Sequence, residues 1–171
     1  MRRFLDRLYL YSGYLAAVFL VGILVVIMWQ VVARWLGRTA DATEAAGMCL
    51  AAATFFGLAH TFRAGSHVRI NLLLSHLPRP ARKIVELFNC FVGLAATGLL
   101  SWNMWALALQ SWDFHDVSPG LLAMPFWIPQ AGVATGMSIL VIALTDEILW
   151  ILQGRTPRYE AAETVQDTPV A

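Results

Sequence analysis

Charge is scarce in this sequence: Asp, Glu, Lys and Arg make up 13% of its 171 residues, against about a quarter in an average soluble domain. So few ionised groups cannot cover a water-facing surface, and water is therefore not the chain's main solvent. The net charge of +1 offers no field for nucleic acid, whose binders need clustered cations or aromatic platforms. Cysteine is nearly absent. Cys49 and Cys90 each fall inside an apolar run and lack neighbouring ligands at zinc spacing, so both read as buried small hydrophobes. Histidine is rare too, and of His60, His67, His76 and His115 only His60 lies inside an apolar stretch, in its last turn. That distribution excludes a deep pair of haem ligands on facing helices. No GxxxxGK[ST] loop and no Ser, His and Asp triad are found, so the chain is read as no enzyme by itself and as needing no cofactor or metal. Neither an internal repeat nor the matched, broken hydrophobic segments of an inverted-repeat transporter stands out.

What the chain has in abundance is hydrocarbon, with 58% of residues hydrophobic. A bilayer core of about 30 Å needs about 20 apolar residues at helical rise, because an unpaired backbone group in lipid costs several kcal/mol. Four stretches meet that demand: residues 9–33, 45–62, 84–109 and 126–152. The fold class is therefore all-α, an integral membrane protein whose four transmembrane helices form one domain over 1–152, followed by a polar tail over 153–171 expected to be disordered. A secretory signal peptide is the rival reading of the first stretch, with Ala40-Asp41-Ala42 as a mimic of a cleavage site. Its uncharged run is too long for a signal h-region of about 7 to 15 residues, which favours an uncleaved anchor.

Orientation follows from the placement of Lys and Arg, whose translocation is resisted. With the N-terminus inside, Arg2, Arg3, Arg7, Arg63, Arg69, Arg79, Arg82, Lys83, Arg155 and Arg158 are all cytoplasmic, and only Arg34 and Arg38 lie outside. Both termini should face the cytoplasm. The aromatic belts agree: Tyr9, Tyr11, Tyr14 and Trp150 fall toward the inner side, and Trp29, Trp35, Trp102, Trp105, Trp112 and Trp127 toward the outer side.

In the inner loop, Ile70, Leu73, Leu74 and Leu77 recur at helical spacing among Arg69, Asn71, Ser75 and His76, which predicts a short interfacial helix between spans 2 and 3. Pro78 should end it, and Pro80 can open the third span. The loop's cations serve topology and anionic lipid, or dock a partner. The second span is rich in small residues, among them Gly47, Ala51, Ala52, Ala53, Thr54 and Gly57, which let helices approach closely. Gly132 and Gly136 form a GxxxG spacing in the fourth, a packing face within this bundle or toward a neighbouring helix. A proton-coupled exporter would need an ionisable group at mid-membrane. Glu44, Glu86, Asp146 and Glu147 all lie within about one turn of an interface, and Gln30, Asn89 and Asn103 cannot titrate.

Glu44, Thr54-Phe55-Phe56-Gly57, Arg63-Ala64-Gly65-Ser66-His67-Val68 and Leu77-Pro78 form a pattern that resembles the small membrane subunit of tripartite ATP-independent periplasmic (TRAP) transporters, the DctQ-like family. The outer segments Ser118-Pro119-Gly120-Leu121 and Pro125-Phe126-Trp127-Ile128-Pro129 extend the likeness over nearly the whole chain. The chain departs from the pattern at Asn71, where the family often has Asp, and at Ala52, where Trp is common. The resemblance implies a bacterial inner-membrane secondary transporter of three parts. In it a periplasmic binding protein (DctP-like) captures an organic acid, a large permease subunit (DctM-like) moves it with sodium, and this chain supports the permease. Membrane lipids would be its other partners, and substrate would be held elsewhere. On that reading Glu44 is a charge partner for Arg34 or Arg38, and Arg63 and His67 tie the second span to the loop, or these charges serve topology and solvation alone; Gly65 and Pro78 are further candidate structural or partner-interface positions. Pro119, Pro125 and Pro129 shape an outer surface near the other components, or mark a helix entry and a kink. A membrane anchor of a respiratory complex and a free-standing exporter are the readings that compete with it.

Overall fold

A computed structural model describes residues 2–38, 42–63, 79–120 and 123–153, and within these the side chains of all but 2–4, 63 and 79–83. Four helices account for nearly all of them: α1 (Arg2–Trp35), α2 (Thr43–Arg63), α3 (Arg79–Asp113) and α4 (Trp127–Leu152). Each is long and apolar enough to cross a membrane, as the sequence requires. The expected interfacial helix, with Gly65, His67 and Pro78, and the tail beyond Gln153 lie outside the described residues.

Helix ends follow local chemistry. Gly37, at φ +71°, closes α1: its N–H donates to Arg34 O at 3.0 Å and the Arg38 N–H donates to Ala33 O at 2.9 Å, the paired bonds of a Schellman motif. α3 ends by the same pair, with His115 N–H to Trp112 O at 3.3 Å and Asp116 N–H to Ser111 O at 3.0 Å. Here a histidine, not a glycine, takes the left-handed position at φ 55°, held by Nδ1 against Asp113 O at 3.1 Å.

The helices do not close into a four-sided bundle. α1 packs on α2, α2 on α4 and α4 on α3, with only a slight touch between α1 and α4. The spatial order is thus a row, α1, α2, α4, α3, in which α4 is the most enclosed: 44% of its apolar span is buried, against 22% for α2, 11% for α3 and 6% for α1. Such a row is unsuited to water but natural in lipid, where apolar side chains need not be hidden from the solvent.

Small residues set the spacing at the centre. Ala16, Ala52 and Phe56 form one buried group, with Phe19 stacked on Phe56 at 6.1 Å between centroids. Tyr9, Ala59, Leu140, Ala143 and Leu144 form a second. A Cβ on Gly136 would come within 2.7 Å of the Phe55 carbonyl carbon, so α4 meets the backbone of α2 there. Gly57 faces Ala16, while Gly132 has open space around it. Of the GxxxG pair, then, only Gly136 serves contact among the described residues. Tyr9 is 2% exposed and packs within the second group.

Candidate partner interface

Polar groups join the α3 and α4 helices inside the membrane. Ser138 Oγ donates to Ala134 O at 2.8 Å, stands 2.9 Å from Ser101 Oγ and accepts the Trp105 indole N–H at 3.1 Å. In hydrocarbon such bonds have no water to compete with them, and they fix the rotation of α3 against α4. Nothing in the spacing of Ser101, Trp105 and Ser138 along the sequence reveals that they meet.

Toward the start of α3 and the end of α4 the two helices enclose acid groups. Glu86 and Glu147, which the sequence places within about one turn of an interface, are 5% and 6% exposed. Proximity to the membrane surface says how deep a residue sits, and packing of α3 on α4 decides whether water reaches it. Both residues are engaged in interactions, in keeping with the cost of leaving a buried charge unpaired. Among the described residues no three His, Cys, Asp or Glu side chains gather as a metal site, and Cys49 and Cys90 are free thiols.

At the other end, residues 114–120 and 123–126 between α3 and α4 are drawn together. Ser118 N–H donates to Met124 O at 2.9 Å and Phe126 N–H to Asp116 O at 3.0 Å, around an antiparallel bridge between Val117 and Pro125. Trp112 meets Trp127 edge-on at 4.8 Å, clamping the helix ends below the loop. Pro119 lies exposed in the loop, and Pro129 falls in the first turn of α4, where no intrahelical N–H bond exists for proline to remove. It therefore starts the helix without kinking it.

Glu44 reaches this loop from the start of α2. Its carboxylate lies directly against Gly120, so close that any β-carbon there would collide with it. Both carboxylate oxygens are buried and lack a hydrogen-bond partner among the described residues. Arg34 and Arg38 instead stand exposed at the end of α1. The expected pairing of Glu44 with either arginine is absent among the described residues, where its carboxylate packs against Gly120 of the α3–α4 loop. Arg63 ends α2, with its side chain outside the described residues.

The two edges of the row differ. The exposed residues of α1 between Leu15 and Val32 are hydrocarbon apart from the thioether of Met28 and the indole of Trp29. α3 exposes bulky groups on one side, among them Phe88, Phe91, Trp102 and Leu109, and on another side the amides of Asn89, Asn103 and Gln110.

Comparison with known proteins places this arrangement. The family model described as "Tripartite ATP-independent periplasmic transporters, DctQ component" matches residues 23–154. The C4-dicarboxylate TRAP transporter small permease protein DctQ of Rhodobacter capsulatus is 28% identical over 85 residues, a stretch covering 50% of this chain and 37% of that protein. The chain thus spans well under two thirds of that relative's length. With the family pattern running from α1 through the end of α4, the chain belongs to the DctQ component family of TRAP transporters and is a multi-pass protein of the inner membrane.

Proposed function

We infer that the chain is the small permease subunit that supports a large, DctM-like permease subunit in sodium-coupled uptake of an organic acid anion, for example a C4-dicarboxylate, delivered by a DctP-like periplasmic binding protein. It catalyses no reaction, and both its termini face the cytoplasm. The observation that carries this reading is the open row of helices, whose edge helices α1 and α3 are only 6% and 11% buried. A transport domain that moves through the membrane needs a stationary body to move against, and lipid-embedded helices arranged in a row enlarge that body. The identity of the Rhodobacter capsulatus relative supports the substrate class, and the family supports the three-part assembly.

The test is deletion of this chain in a strain that keeps the other two components. Uptake of a labelled C4-dicarboxylate is expected to stop while the binding protein still binds its ligand. Undiminished uptake overturns the reading.

A further inference from the structure

Asn89, Ala96, Asn103 and Gln110 recur every seven residues along α3, which is two helical turns, so they fall on one strip of its surface. All four are exposed, as are Val92 and Leu99 between them. The strip is distinct from the face that packs on α4, which carries the buried Glu86, Ser101, Ala108 and Ser111. Asn89 and Asn103 stand about 21 Å apart at helical rise. Both therefore fall within a hydrocarbon layer of about 30 Å centred near Ala96.

Among the described residues their hydrogen-bonding capacity is only partly used. Asn103 Nδ2 donates to Leu99 O at 2.8 Å, which leaves its Oδ1 open, and the side chains of Asn89 and Gln110 make no hydrogen bond among the described residues. Exposed hydroxyls elsewhere behave differently. Thr54, Thr61 and Thr145 each return their proton to a carbonyl one turn back, at 2.8, 3.0 and 2.7 Å, and can face lipid at little cost. A primary amide has two N–H donors and an acceptor, too many for its own helix to satisfy, and acyl chains offer Asn89 and Asn103 no partner. α1 carries no such strip, and its edge suits lipid alone.

By chain length alone, residues 64–78, joined to α2 at Arg63 and to α3 at Arg79, fall short of Asn103: half their fully extended length is about 25 Å, against roughly 36 Å along α3 from Arg79. Residues 154–171 carry Arg155, Arg158, Glu160, Glu163 and Asp167, charges that hydrocarbon excludes.

We propose that the Asn89–Asn103–Gln110 strip of α3 is where a transmembrane helix of the large permease subunit seats, with amide hydrogen bonds and the small side chain of Ala96 setting register and close approach. This rests on the reading of the chain as a subunit of a TRAP transporter. The α1 edge faces lipid.

The experiment co-expresses the full chain with the large permease subunit and places a p-benzoylphenylalanine photo-cross-linker at Leu99 or, separately, at Leu24 on α1. An adduct with the large subunit is expected from position 99 and none from position 24. In parallel, the Asn89→Leu, Asn103→Leu double variant should lower retention of the large subunit on a detergent-washed column about tenfold, while Phe91→Leu on the adjoining aromatic side leaves it unchanged. Circular dichroism and elution volume serve as checks that each variant is folded. An adduct from position 24 alone, an adduct of position 99 with a second copy of this chain, or full retention by the folded double variant overturns the proposal while leaving the functional reading intact. A wild-type chain that retains no large subunit overturns both.

Discussion

Single residues in this protein matter through what stands opposite them. Gly136 meets the α2 backbone, where nothing can rotate aside, whereas Gly132 meets nothing within 4 Å. Gly136→Ala should therefore cost about 1–3 kcal/mol through forced separation of α2 and α4, and Gly132→Ala should be neutral. Thermal unfolding of the two variants in the same detergent checks this. The sequence showed the glycine pair but not which member is in contact, since that depends on the rotation of α4. His115 is a second case: a side chain in the left-handed region costs about 1–2 kcal/mol that glycine avoids. His115→Gly should raise stability by up to that amount, less the bond to Asp113 O, and a lowered melting temperature would contradict it. Glu44 is the third, and here the charge pattern misled, because closeness in sequence to Arg34 and Arg38 did not foretell that the α3–α4 loop would capture the carboxylate. A double-mutant cycle between Arg34 and Glu44 should give a coupling no larger than about 0.5 kcal/mol.

At the scale of elements, four spans were legible because hydrocarbon imposes one simple demand, an unbroken apolar run of sufficient length. The helices nonetheless continue past the hydrocarbon, as α1 does from Arg2 and α3 to Asp113, since their backbone bonds can go on in water. Helix neighbours were not legible. In lipid an outward face and a packed face are both apolar, so the periodicity that marks the core of a soluble helix is lost. α4 shows this most clearly: Leu140 and Leu144 are buried and Leu149 is exposed, yet all three read alike in sequence. Leu140→Ala should leave a cavity between helices and cost about 2–3 kcal/mol, whereas Leu24→Ala on α1, where lipid refills the space, should change stability by less than about 0.5 kcal/mol. Equal losses at the two positions would mean that α1 is as enclosed as α4.

For the whole molecule, the order α1, α2, α4, α3 leaves a broad slab in place of a closed bundle, with a joined centre and two open edges. The family was readable from short elements such as Arg63-Ala64-Gly65-Ser66-His67 and the proline-rich outer segment, although these say nothing of helix order. A slab with a joined centre and two open edges suits a body that holds another subunit. The direct test is reconstitution: proteoliposomes containing the large permease subunit, this chain or both are given an inward sodium gradient, the binding protein and labelled C4-dicarboxylate. The account predicts gradient-driven uptake only when both subunits are present, and solute flux through this chain alone would contradict it.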